Sequence, residues 1–139
     1  MDCPLCALPS TDVVWEDASC RVIRVSDEHY GGFCRVVWRE HVAEMTDLRP
    51  EDRQHLFDVV MATESALRTL MNPDKINLAS LGNMVPHLHW HVIARFHDDR
   101  HFPEPIWGQP QRDGEGRPAL DAVALARAIE GALPAHGDD

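Results

Sequence analysis

Three histidines alternate with apolar residues over positions 87–93, which read His-Leu-His-Trp-His-Val-Ile. Successive side chains of a β-strand point to opposite faces, so this spacing predicts a strand that carries His87, His89 and His91 on one face. The intervening apolar side chains would then enter a core. Such a row gives up hydrophobic burial along one face, which favours a chemical role for the imidazoles.

Several chemical roles are open to three aligned imidazoles. The first and third residues of the row lie about 13 Å apart at roughly 3.3 Å per residue, so they do not converge on one metal whose Zn–N bonds are about 2 Å long. Two of them could join ligands from elsewhere in a metal-dependent hydrolase. A neutral imidazole could instead attack phosphorus while its neighbours donate hydrogen bonds to phosphate oxygens. A module that only binds an anion would use the same donors.

Length and charge restrict the class of protein. The chain has 139 residues and a net charge of −10, which suits a single domain and disfavours nucleic acid as a partner. No apolar run approaches the roughly 20 residues of a membrane helix, and positions 1–4 lack the features of a signal peptide. We therefore expect a cytoplasmic protein without a membrane partner.

The four cysteines fall into two classes. Cys20 and Cys34 lie in apolar, strand-like surroundings and are predicted to be small core residues. Cys3 and Cys6 form a C-x-x-C pair, which is the spacing of half a zinc site or of a redox pair. The redox interpretation is the weaker one, because no strand precedes the pair.

Hydrophobic periodicity predicts an α+β domain, with an antiparallel sheet and one long helix packed on it. Gly31 and Gly32 lie in a turn, where we expect them to provide positive φ angles. Arg95, which follows the histidine row, is expected in a solvated charged loop with His97, Arg100 and His101, and the alternative is that these residues extend the anion site. The predicted strands are 12–17, 20–26, 33–38, 76–81 and 88–96, and the predicted helices are 48–71 and 120–133.

The histidine row resembles the signature of the histidine triad (HIT) superfamily of nucleotide hydrolases and transferases. The likeness extends over about residues 3–107, because the other predicted elements follow in the family's order. It implies a five-stranded antiparallel sheet with one long helix and a C-terminal helix, usually in a homodimer. On this basis residues 1–110 form the HIT domain, and residues 111–139 form a tail with a short helix.

The resemblance also implies a role for each histidine of the row. His89 would be the nucleophile that attacks an α-phosphate and carries a covalent nucleotidyl group. His91 would donate hydrogen bonds to phosphate oxygens, and His87 would orient His89. His41 would lie nearby and support substrate binding. Asn77 and Asn83 occupy positions where the family has polar residues that touch ribose or phosphate.

This sequence departs from the family's pattern at two positions. Val25 stands where many members have an acidic residue that binds the ribose hydroxyls, and Asp27 is the candidate to replace it. Met84 stands where members often have a hydroxyl that assists the leaving group. Trp107 is expected to fold back over the pocket. The departures leave open a nucleotide-binding regulatory module with little or no turnover.

A structural zinc ion is a further implication of the resemblance. In some members an N-terminal C-x-x-C pair joins two histidines around the metal, and the matching positions here are Cys3, Cys6, His41 and His87. The complete expectation is a homodimeric hydrolase of a nucleoside phosphoramidate or a dinucleoside polyphosphate. It would need no cofactor for catalysis.

Overall fold

A computed structural model describes residues 3–8 and 12–134 of the chain. Five antiparallel strands form one sheet in the order β1-β2-β3-β5-β4, and two helices accompany it, so the predicted α+β fold is confirmed. The predicted ends of each element differ from the observed ones by at most two residues. The strands are β1 (Val13–Glu16), β2 (Cys20–Arg24), β3 (Phe33–Trp38), β4 (Lys75–Ala79) and β5 (His89–Arg95), and the helices are α1 (Pro50–Met71) and α2 (Ala122–Ala132).

Strand β5 lies inside the sheet, between β3 and β4. Its register sets Val37 opposite His89 and Arg35 opposite His91. The alternate residues Trp90 and Val92 point to the other face, where they join the main hydrophobic core. The sheet thus has one face for the core and one face for the histidines.

Helix α1 covers the core face of the sheet. It begins with Pro50, which has no N–H to lose in the first turn, and Glu51 and Asp52 follow near the positive end of the helix dipole. It ends at Asn72, which adopts the left-handed conformation with φ 48°. One turn of 3-10 helix, Met45–Asp47, leads into it.

Helix α2 belongs to the same core, although it lies in the predicted tail. Its N-cap is Asp121, whose carboxylate accepts a hydrogen bond from the Ala124 backbone. Leu125 and Ile129 are fully buried in the main cluster. The C-terminal segment therefore contributes to the packing of the domain.

None of the helices in the described part of the chain has the length and apolar character that crossing a bilayer requires.

Arg95 is buried, so the expectation that it lies in a solvated loop is wrong. It is only 1% exposed, and its guanidinium donates to Asp99 through Nε at 2.9 Å and Nη2 at 3.0 Å. Its Nη1 also donates to the Asn77 side chain at 2.7 Å. Although burial opposes ionisation of Asp99, hydrogen bonds from Arg95 and two backbone N–H groups lower its pKa to about 2. His97 stays exposed, as predicted.

The prediction of positive φ angles at Gly31 and Gly32 is also wrong. Among the described glycines only Gly82 and Gly114 have positive φ. Glycine is needed at positions 31 and 32 because atoms of other residues lie too close to leave room for a Cβ atom. A Cβ on Gly31 would lie 2.3 Å from the Pro118 carbonyl oxygen, and one on Gly32 would lie 2.4 Å from the sulfur of Met71.

We predict that Gly31→Ala lowers the free energy of unfolding by at least about 2 kcal/mol, because its Cβ meets rigid backbone and the C-terminal segment must move. Gly131→Ala is the matched control. Position 131 is in helix α2 with nothing within 4 Å, so alanine there should stabilise by roughly 0.5–1 kcal/mol. Urea unfolding measures both; equal effects at the two glycines would contradict the packing argument.

Candidate active site and metal centre

A cavity of about 310 Å³ opens on the histidine face of the sheet. It lies between strand β5, strand β3, the 81–85 connector and the segments around positions 4–5 and 107. The polar and aromatic side chains that line it are Arg35, Asn83, His89, His91 and Trp107. Two histidines of the predicted row, His89 and His91, therefore face a cavity large enough for a small ligand.

His89 is held in one tautomer by the backbone just before it. Its Nδ1–H donates to the carbonyl oxygen of His87 at 2.6 Å. Nε2 is then the nitrogen that carries the lone pair. Burial lowers the pKa of the ring, and the hydrogen bond to the His87 carbonyl only partly offsets that effect. At neutral pH the His89 ring is therefore uncharged and can act as a nucleophile.

His91 follows on the same face of β5. Burial lowers its pKa to about 4, with smaller contributions from His89 and Arg35, so this ring is also neutral at pH 7. Its ring centroid lies 4.9 Å from that of His89 and 5.0 Å from that of Trp107. Its Nδ1 is buried and has no hydrogen-bond partner among the described residues. A polar atom in that state is suited to contact a ligand in the cavity.

His87 differs from the other two histidines, because strand β5 begins only at His89. Its carbonyl oxygen, rather than its ring, orients His89. The ring is fully buried elsewhere, where its Nε2–H donates to the Trp38 carbonyl at 2.5 Å and leaves Nδ1 free to bind a metal. Only two of the three rings, those of His89 and His91, therefore line the cavity.

The four residues proposed as zinc ligands meet at one point, with their ligand atoms all within 4.8 Å of one another. Cys3 Sγ lies 3.4 Å from His87 Nδ1, Cys6 Sγ lies 3.3 Å from His41 Nδ1, and the two Nδ1 atoms are 3.1 Å apart. Tetrahedral bonds of about 2.3 Å to sulfur and 2.0–2.1 Å to nitrogen separate ligand atoms by roughly 3.3–3.8 Å. The donor set and its spacing thus fit zinc, and the group could hold it.

The other histidines of the row do not belong to this group. Within residues 3–8 and 12–134, neither His89 nor His91 is part of a cluster of three or more potential metal ligands. The second such cluster, Asp17, Cys20 and His55, includes a thiol whose pKa is raised by burial. The structure therefore gives no support to a metal held by the histidines of the cavity.

Comparison with known proteins agrees with this geometry. A family model described as the HIT domain matches residues 9–98. The chain belongs to the HIT family. This membership supports assignment to a superfamily of nucleotide-binding proteins and hydrolases. A search of curated proteins finds no significant match.

Solved structures of HIT proteins share the fold. A histidine triad protein from Bradyrhizobium japonicum is 29% identical, with a TM-score of 0.69 over 91% of this chain and 97% of the other. A HIT protein from Sinorhizobium meliloti is 27% identical, with a TM-score of 0.69 over 87% and 88% of the two chains. A zinc-bound HIT family protein from Mycobacterium smegmatis is 22% identical, with a TM-score of 0.53 over 87% and 82%.

The remaining predicted site residues of this HIT protein are divided between the cavity and the scaffold. Asn83 lines the cavity, as does Met84, whose side chain is 93% exposed. Asn77 does not line it, because its amide oxygen accepts from Arg95. Asp27 accepts from the backbone N–H groups of His29 and Tyr30 and so holds a turn. The structure thus gives Asn77 and Asp27 structural partners outside the cavity.

Arg35 is a charged residue of the cavity that is not among the site residues predicted from the sequence. It lies in β3, directly across from His91, and its guanidinium carbon lies 5.6 Å from the centroid of the Phe33 ring. A signal was present in the sequence, because a lone arginine interrupts the apolar strand Phe-Cys-Arg-Val-Val-Trp at positions 33–38. Only the pairing of β3 with β5 shows that this arginine lies beside His91.

Proposed function

We propose that this HIT protein is a nucleotide hydrolase that cleaves its substrate at the α-phosphate through a covalent nucleotidyl-His89 intermediate. The substrate class is a nucleoside phosphoramidate or a dinucleoside polyphosphate. One observation carries the proposal: the Nδ1–H of His89 is bonded to the His87 carbonyl, which leaves a neutral ring with its Nε2 lone pair beside a cavity. That is the state an imidazole nucleophile needs.

In the first step, Nε2 of His89 forms a bond to phosphorus while the bond to the leaving group breaks and the leaving group takes both electrons. The ring becomes positively charged, and its Nδ1–H keeps the hydrogen bond to the His87 carbonyl, which stabilises that charge. In the second step, water attacks phosphorus, the P–N bond breaks and one proton passes to solvent. Nucleoside monophosphate leaves, and His89 is again neutral.

Asn83 and His91 would hold the phosphate during these steps. Both line the cavity, and the unpartnered Nδ1 of His91 is available for a hydrogen bond. Trp107, which is about half exposed, covers the other side of His91. Displacing water from these groups strengthens each contact with a phosphate oxygen.

The variant His89→Ala should retain the fold and lose at least about 10³-fold in kcat, since no other ring in the cavity is held as a nucleophile. His97→Ala, at an exposed loop histidine outside the cavity, is the control and should keep the parent rate. The assay uses adenosine phosphoramidate and diadenosine triphosphate, with mass spectrometry of acid-quenched protein to detect nucleotidyl-His89. Turnover by His89→Ala at the parent rate would contradict the assignment of His89 as the nucleophile.

A regulatory nucleotide-binding module is the second candidate, and Met84 is the observation that favours it. This thioether cannot deliver a proton to a leaving group. Ser80, the nearby hydroxyl, donates to the His89 carbonyl at 2.7 Å and is thus already engaged. If the native protein binds nucleoside monophosphate but cleaves no phosphoramidate or phosphoanhydride, the module is the better description.

We further propose that Cys3, Cys6, His41 and His87 bind a structural zinc ion. The ligand spacing supports this, as does the Nε2–H of His87, which is engaged by Trp38 and leaves Nδ1 for the metal. The zinc-bound relative from Mycobacterium smegmatis adds support from the family. When bound, the metal would supply a closed tetrahedral crosslink rather than an open catalytic position.

Native protein purified without chelators should contain about one zinc per chain, and Cys6→Ser should contain much less and unfold at lower temperature. Cys34→Ala is the control, because it removes a buried thiol in the main core and should keep the metal. Elemental analysis and thermal denaturation measure the two effects. Full zinc content in Cys6→Ser, or sub-stoichiometric zinc in the native protein, would contradict the site.

We also propose that the protein is a homodimer. Strand β4 is an edge of the sheet, and Leu78 and Leu81 are exposed on and just after it. Phe57 and Met61 are exposed on α1, and Phe57 packs against Trp90 of the neighbouring strand β5. Unpaired strand edges beside apolar surface favour association.

Light scattering should give twice the chain mass of 15.7 kDa, and a monomer at micromolar concentration would refute the dimer.

A further inference from the structure

Arg35 is a half-buried cation with no anionic partner in the described part of the chain. The neighbouring residues Cys34, Val36 and Trp38 belong to the main core, so alternation puts Arg35 on the cavity face of the sheet. Its Nε is buried and has no hydrogen-bond partner among residues 3–8 and 12–134. In that part of the chain no carboxylate forms an ion pair with it, although the sequence contains 23 acidic residues.

The partial desolvation of this charge has a cost that an opposite charge would offset. Transferring an ionised group out of water is compensated in proteins by an opposite charge or a full set of hydrogen bonds. Arg35 has a contact with the ring of Phe33, and desolvation lowers the pKa of its guanidinium. The missing partner is therefore expected to come from outside the chain.

The position of Arg35 indicates which ligand atoms it meets. Directly paired residues of antiparallel strands have Cβ atoms about 4.5–5.5 Å apart, and Arg35 is paired with His91. Arg35 lines the same cavity as His89, and its positive charge disfavours protonation of His91. The guanidinium is thus beside the nucleophile and the predicted phosphate ligand.

The chemistry of the cavity is unusual in a second respect. The described residues that line it include no carboxylate, hydroxyl or ammonium side chain. Arg35 is the one lining side chain that is charged over the whole physiological pH range. A leaving amine needs a proton when its bond to phosphorus breaks, whereas a leaving phosphate departs as a stable anion. The cavity therefore offers charge stabilisation but no evident acid.

We propose that Arg35 binds the ionised oxygens of the phosphoryl group under attack and of the phosphate next to it, which makes phosphoanhydrides the preferred substrate class over phosphoramidates. This inference rests on the proposed function. As Nε2 of His89 bonds to phosphorus, the P–O bond to the neighbouring phosphate breaks and its electrons remain on that oxygen. Arg35 stabilises the negative charge on both phosphates, so no proton transfer to the leaving group is required.

The test compares Arg35→Met, which keeps the bulk of the side chain and removes its charge, with Arg35→Lys, which keeps the charge and loses the planar fork. Arg39→Met is the matched control. It removes one positive charge from the same strand region, but Arg39 is paired with Glu16 outside the cavity. Circular dichroism and thermal denaturation establish that each variant is folded.

Calorimetry with AMP and adenosine provides a readout independent of turnover. Arg35→Met should weaken AMP binding by about 10–100-fold, the effect of losing a charge-assisted hydrogen bond, and change adenosine binding less than about 3-fold. Arg35→Lys should fall between the parent and Arg35→Met, and Arg39→Met should match the parent. Unchanged AMP affinity in folded Arg35→Met would overturn the proposal.

Kinetics with diadenosine triphosphate and adenosine phosphoramidate test the substrate class. The parent should prefer the anhydride, and Arg35→Met should lose about 10²–10³-fold in kcat/KM for it and distinctly less for the phosphoramidate. Equal losses for the two substrates, or a parent that prefers the phosphoramidate, would refute the selectivity. If the parent cleaves neither substrate but AMP binding still depends on Arg35, the hydrolase proposal fails, whereas the assignment of Arg35 as a phosphate-binding residue is retained.

Discussion

The hydrogen bond from His89 Nδ1 to the His87 carbonyl is the interaction on which the candidate site depends. It fixes the tautomer of the His89 ring through the backbone of His87, whose own ring belongs to the candidate metal cluster with Cys3, Cys6 and His41. His87 therefore connects two candidate centres, with its carbonyl facing His89 and its Nδ1 facing the cysteines. The loop between Cys3 and Cys6 also supplies Leu5 to the cavity wall, so the candidate metal cluster and the cavity share one segment of the chain.

Charge is distributed unevenly between the surface of this protein and its cavity. The chain carries a net charge of −10, yet the described cavity lining has neutral histidines and one arginine. An anionic ligand approaching a negative protein gains little from the overall field, so its binding has to rest on local groups. The half-buried guanidinium of Arg35 beside neutral donors is such a local arrangement. In the proposed function it would bind phosphate while the His89 ring stays uncharged.

The elements of the fold were predictable, because each has a clear period and clear ends. The apolar stripe of α1 and the Pro50 start gave the helix, and alternation around His89 gave β5. Errors arose where a distant neighbour decides a residue's environment. The turn composition predicts a positive φ angle at Gly31, whereas its actual constraint is the Pro118 backbone. The charged segment after β5 predicts solvent exposure for Arg95, whereas Asp99 and Asn77 enclose it.

The sequence by itself determined the aligned histidines, the strand that carries two of them and the candidate metal ligands, because these follow from local spacing and the family's motif. Only the tertiary structure decided which nitrogen of His89 is free, that the ring of His87 leaves the row, and that Arg35 faces the same cavity. The physical reason is that strand pairing brings together residues more than fifty positions apart, such as Arg35 and His91. No periodicity within one segment encodes that register.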